Sequence, residues 1–149
     1  MITLVDIKKA VNSVLKDNFP DTKTYSSDTK EGFKRPAFFT QVVPIVMNHE
    51  TTNYTSNKVM IVINYFSENG TELENLKMDT NLRKAFGMTL KVNQRSFLLQ
   101  NIKSEIVDEI LQFKFDLNYF DGIDKTENNE KATNLEINIK EWYYGFAKY

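Results

Sequence analysis

The sequence predicts an α+β fold: a single domain, residues 1–149, whose mixed, mostly antiparallel β-sheet packs an N-terminal helix and a second helix against it. Three observations predict it. Two segments space their apolar residues by threes and fours behind a threonine that can cap a helix. Other runs alternate apolar with polar residues or are apolar throughout, the patterns of half-buried and fully buried strands. Aromatic residues make up 13% and hydrophobic residues 41% of the 149, which suits pleated, half-buried surfaces and suffices for one sizeable core.

Thr3 opens the first helix, with Asp6 three positions on as an imperfect capping box. Leu4, Ile7, Val11, Val14 and Leu15 form its apolar face, and Lys8, Lys9, Asn12 and Lys16 lie on the other side. Phe19-Pro20 ends it, because a residue before proline avoids helical dihedral angles. A short strand over 22–26 leads into EGFKRPAFF (31–39), where a basic pair and a proline sit among three phenylalanines. Gly32 reads as a turn and Pro36 as the start of a strand. Phe38 and Phe39 then point to opposite faces. Phe33, Lys34 and Arg35 are left on the connecting loop, free to reach an adjacent subunit.

From Ala37 to Met47 the residues are almost continuously apolar, which predicts a strand covered on both faces, with Pro44 marking a bulge or an edge. Residues 48–57 are polar and read as a loop or hairpin tip. Residues 58–67, KVMIVINYFS, are apolar on both faces and predict a central strand, closed by a turn at Glu68-Asn69-Gly70. Thr71 and Glu74 start the second helix; Leu73, Leu76, Leu82 and Phe86 are its expected core face, and Gly87 its C-terminal cap. Short strands follow at 89–92 and 96–102. In ILQFKFDLNYF, Leu111, Phe113, Phe115, Leu117 and Tyr119 alternate with polar residues, as in a half-exposed antiparallel strand. Residues 121–133 read as a polar loop. Leu135, Ile137 and Ile139 alternate like a strand, while Leu135, Ile139, Trp142, Tyr143 and Phe146 also fit a helix; a strand with an aromatic extension is the preferred reading.

Little in the chain suggests chemistry. Its formal charge of −1 lacks the basic excess of a phosphate-gripping protein, and only three arginines are available for bidentate recognition. Without cysteine there is no disulfide, thiolate metal site or cysteine nucleophile. The single histidine, His49, has only Glu50 nearby and reads as a surface residue. Asp121, Asp124, Glu127 and Glu130 lack the order of a calcium loop. Asp108 and Glu109 are adjacent acids, as expected by chance among twenty. Lys114 alternates away from Phe113 and Phe115, so the three cannot form one stacking platform for RNA. No catalytic, cofactor-binding or metal-binding set is expected. The N-terminus has no signal-peptide pattern and no run is long enough to span a membrane, so the expectation is a soluble, cytoplasmically made chain.

The order and spacing of LVDIKKAVNSVLKDNFP, EGFKRPAFF, VINYF and LQFKFDLNYFD resemble the tail terminator (tail completion) proteins of long-tailed bacteriophages and prophage-like elements, over residues 3–121. Sixteen lysines and sixteen asparagines are compatible with an AT-rich genome. The resemblance implies a mixed, mostly antiparallel sheet with helices against it, and an assembly role in the virion tail after synthesis in the host cytoplasm. It implies a ring of identical subunits, typically six, on the head-proximal end of the tail tube. Such a ring stops tube growth and presents a surface to the neck or connector, and to the last sheath ring of a contractile tail. DNA would pass through without specific binding. On this reading Phe33, Lys34 and Arg35 are candidate subunit-interface residues. The alternatives are another neck or head–tail joining component, or a small nucleic-acid-binding module.

Overall fold

The structure, a computed structural model, describes residues 1–26 and 32–123. Their elements run α1 (Leu4–Asn18), β1 (Lys23–Ser26), β2 (Ala37–His49), β3 (Tyr54–Phe66), α2 (Glu72–Phe86), β4 (Thr89–Val92), β5 (Arg95–Val107) and β6 (Ile110–Gly122). The strands form one sheet in the order β1-β2-β3-β6-β5-β4, parallel only between β1 and β2. This is the expected α+β fold with a mixed, mostly antiparallel sheet.

Alternation explains how the layers form. Val59, Ile61, Ile63 and Tyr65 of β3 lie on the same face as Leu111, Phe113, Phe115, Leu117 and Tyr119 of β6, and all are buried in one core. Both helices cover that face. Ile7, Val11 and Leu15 of α1 and Met78, Leu82 and Phe86 of α2 join the same cluster. Phe86 lies 5.3 Å from Phe115, and Phe19 lies 5.4 Å from Phe38, centroid to centroid. β3 is central, as its two apolar faces predict.

The helix caps are local chemistry. Thr3 Oγ1 accepts from the Asp6 amide while Asp6 accepts from the Thr3 amide, which completes the capping box. Thr71 caps α2 by accepting from the Glu74 amide, but the Glu74 carboxylate turns to the Asn69 side chain and amide instead of closing the box. Gly87 ends α2 with φ of 62°, a left-handed value that favours glycine. Hydrogen bonds, from the Thr3 amide to Asp6 and from the Asn69 side chain to Glu74, hold both carboxyls below their ordinary range.

Several expectations are corrected. The face of α2 in the core is Asn75, Met78, Leu82 and Phe86, whereas Leu73 and Leu76 are 61% and 50% exposed. A polar residue, Asn75, takes the buried position because its Nδ2 donates to the Glu109 carbonyl and steadies the β5–β6 turn. Leu4 is exposed rather than part of the α1 core face. β2 is fully buried only over Ala37–Thr40, where β1 flanks it; beyond, no described strand lies on that side and most of its residues are exposed. Its ladder breaks between Pro44 and Val46, the bulge that Pro44 predicts. Residues 48–57 are mostly strand, since β2 and β3 run on to His49 and from Tyr54, with His49 exposed at the end of β2. β5 extends to Val107, and Asp108 and Glu109 have φ of 50° and 67° in a two-residue hairpin turn. Asp121 and Gly122 belong to β6 and Ile123 follows it; residues 124–133 of the expected loop, with Asp124, Glu127 and Glu130, and the tail from Leu135 to Phe146 lie outside the described residues.

The α2 register is directly testable. Leu82→Ala is expected to cost about 2–5 kcal/mol of unfolding free energy, as for a fully buried leucine, and Leu76→Ala less than about 0.5 kcal/mol, both read by urea denaturation. The opposite ranking would return Leu76 to the core. Because Asp6 and Glu74 titrate below their unfolded values, their stabilisation is present at neutral pH. It is lost as pH falls through the acid range. Asp6→Asn should therefore flatten the acid limb of the stability curve.

Candidate assembly surface

Residues that alternate away from the core form the second face of the sheet, and no element covers it among the described residues. Its middle mixes Met60 and Val62 with polar residues. Gln41, Asn64 and Gln112 lie here with two ion pairs, Lys114 Nζ to Glu105 Oε1 at 2.9 Å and Lys58 Nζ to Asp116 Oδ2 at 3.8 Å. The hydrogen bond from Lys114, aided by its charge, holds the Glu105 carboxyl below its ordinary range. Lys114 thus points away from the buried rings of Phe113 and Phe115, as alternation requires.

The two ends of this face are apolar. At one end the loop before β2 folds back on the sheet. Gly32, with φ of 75°, makes the turn expected of it. Phe33 then sets its ring 5.0 Å from both Phe39 and Phe66, and Tyr25 stacks on Phe39 at 5.4 Å. Phe38 points into the core while Phe39 joins this cluster, the opposite placement that sequence reading assigns them. The Arg35 guanidinium covers the Phe66 ring at 5.4 Å and donates from Nη1 to the Ser67 carbonyl at 3.1 Å. The Lys34 amide donates to Tyr25 Oη, and its side chain is exposed. The structure therefore brings Phe33, Lys34 and Arg35 together, with Phe33 and Arg35 anchored on their own chain. At the other end, Val46, Tyr54 and Phe120 are 45%, 56% and 65% exposed. Sequence reading missed this patch. Its signal was Phe120, a ring on the polar side of an otherwise alternating strand.

All three arginines are held within the fold. Besides Arg35, Arg83 pairs with Asp79 and donates to Ser104, and Arg95 binds Asp121 and the Phe120 carbonyl while covering Phe97 at 4.9 Å. Asp121 also accepts from the Ile2 amide at 2.7 Å, which ties the N-terminus to the end of β6. No group of three or more His, Cys, Asp or Glu side chains gathers among the described residues, and no described helix is long and apolar enough to cross a membrane.

The family model described as "Phage tail terminator protein" matches residues 6–129. None of the curated proteins matches the chain. Among solved structures, one chain superposes with a TM-score of 0.47 at 11% identity, covering 83% of this chain and 98% of the other.

If Phe33 holds the loop to the sheet, Phe33→Ala should destabilise the protein by about 1–2 kcal/mol, in line with a partly buried ring. Lys34→Ala should change stability by less than about 0.5 kcal/mol. Urea midpoints that do not move in either variant would show that the ring is not an anchor.

Proposed function

The chain belongs to the phage tail terminator family, a component of the virion tail with a role in tail completion, and from that premise we propose that copies of it close into a ring, hexameric by family resemblance, on the head-proximal end of the tail tube. The observation that carries this reading is the sheet face that no described element covers, with ion pairs in its middle and an apolar cluster at each end. A closed ring needs a heterologous interface, one patch meeting a different patch on the next subunit. The Phe33–Lys34–Arg35 loop and the Val46–Tyr54–Phe120 patch supply two such surfaces on one molecule. Anchoring of Phe33 and Arg35 on their own sheet supports the role, because a preorganised loop loses little entropy on docking.

In this reading the ring stops tube polymerisation and offers its outer surface to the neck or connector, and to the last sheath ring if the tail contracts. The protein acts as structure, without catalysis. A net charge of −1 and arginines engaged within the fold suit a bore through which DNA slides without being held.

Native mass spectrometry and negative-stain imaging of the protein mixed with tail tubes test the proposal. The wild type should cap tube ends as rings. Arg35→Glu and Phe120→Lys should each reduce capping at least about tenfold, a loss of roughly 1.4 kcal/mol in association, while circular dichroism shows a folded monomer. Normal rings and tail lengths in both variants would sink the interface assignment.

A further inference from the structure

We propose that Asn69 is a site of spontaneous deamidation, held in check in the folded protein by a clamp made of Ser67 and Glu74. The inference does not rest on ring formation. Asn69-Gly70 lies in the turn between β3 and α2, and Asn69 is exposed to water. Of the sixteen asparagines in the chain, it alone is followed by glycine.

That neighbour matters because the reaction joins the two residues. The Gly70 nitrogen gives up its proton to solvent and attacks Cγ of Asn69. A new C–N bond forms there, the bond from Cγ to Nδ2 breaks, and the amide nitrogen takes a proton from solvent and leaves as ammonia. The five-membered imide then takes up water at either carbonyl, which yields aspartate or isoaspartate at position 69. A side chain at position 70 would screen the attacking nitrogen; glycine leaves it open. The turn is also committed to glycine. Gly70 has φ of 70°, and a Cβ there would lie 2.8 Å from Glu109 Oε2.

Hydrogen bonds occupy both reacting groups. The Gly70 amide donates to Ser67 Oγ at 2.9 Å, which keeps the proton on the nucleophile. Asn69 Nδ2, the leaving group, donates to Glu74 Oε1 at 2.9 Å, and the Asn69 backbone amide donates to Glu74 Oε2 at 3.1 Å. Both oxygens of one carboxylate thus tie Asn69 to the first turn of α2. The same bonds hold the Glu74 carboxyl below its ordinary range, so it is ionised at neutral pH. Ser67 is buried, and its carbonyl accepts from Arg35 Nη1 at 3.1 Å, which fixes the other jaw of the clamp. To react, Asn69 must leave Glu74 and Gly70 must leave Ser67, a local opening that an unfolded chain does not need. Conversion is also self-locking. It removes the Nδ2 donor and sets a second carboxylate against Glu74, and like charges at close range repel.

Peptide mapping of the full-length chain tests the proposal. The protein is incubated in mildly alkaline buffer, folded and in parallel unfolded in guanidinium chloride, and aspartate and isoaspartate at position 69 are counted over time. Conversion should be at least about tenfold slower in the folded chain. Glu74→Ala removes both acceptors and, with circular dichroism showing a folded chain, should convert at least about threefold faster than the folded wild type. If that variant does not fold, Glu74→Gln, which keeps only one acceptor oxygen, is read in the same way. Three results would overturn the proposal: no conversion at position 69 in the unfolded chain; equal rates in the folded and unfolded wild type; or a folded Glu74 variant that converts no faster than the wild type.

Discussion

The pairing of β3 with β6 is the constraint on which the rest depends. Tyr54–Tyr65 is matched residue for residue with Leu111–Gly122 and without a break, so the aliphatic row of β3 lies directly against the aromatic row of β6. A shift of one residue would turn Phe113 and Phe115 to the other face and bring Lys114 and Asp116 into the core. The cost of burying those charges makes that register inaccessible. The ladder therefore fixes which face receives the helices. Once α1 and α2 are seated there, the other face and the outer edges remain for partners.

This division of labour gives the fold its assembly character. The helix-covered face closes a core. The uncovered face keeps ion pairs at its centre, where they hold Lys114 and Lys58 to the subunit, and apolar groups at its ends. A flat apolar face would associate without register. Two separate apolar ends across a polar strip favour one geometry, because misaligned copies would set ion pairs against rings. Family membership says that the protein completes tails; the face suggests how a small chain specifies a closed contact.

Much of this was legible in the sequence, and the misses have physical causes. The α1 cap and the β3 and β6 strands were readable because their signals are local: a threonine with an acid three residues on, and side chains alternating over ten residues or more. The opposed placement of Phe38 and Phe39 followed from the same alternation. The core face of α2 was misread because Leu73 and Leu76 outrank Asn75 on any apolar scale. Asn75 is buried only because a turn more than thirty residues away presents the Glu109 carbonyl to it. Polar residues 48–57 read as a loop or hairpin tip; the tip is there at 50–53, but the strands on either side of it go unread because strand signals rest on burial. The β2–β3 arm is paired yet exposed, so its backbone forms a ladder that its side chains do not announce. The roles of Phe33 and Arg35 were half legible. A basic pair among phenylalanines suggests a loop free to reach an adjacent subunit, whereas Phe33 and Arg35 rest on Phe39, Phe66 and Ser67 of their own chain.

The two long edges of the sheet show that exposure alone does not define an interface. Among the described residues β5 beyond Leu99 is open, yet Lys103 and Glu105 and a distorted ladder make it a poor template for another strand. β2 beyond Thr40 has no partner on its outer side among the described residues and carries no charge over Gln41–His49, which invites indiscriminate pairing. A chain that keeps such an edge needs something to occupy it before its neighbours do.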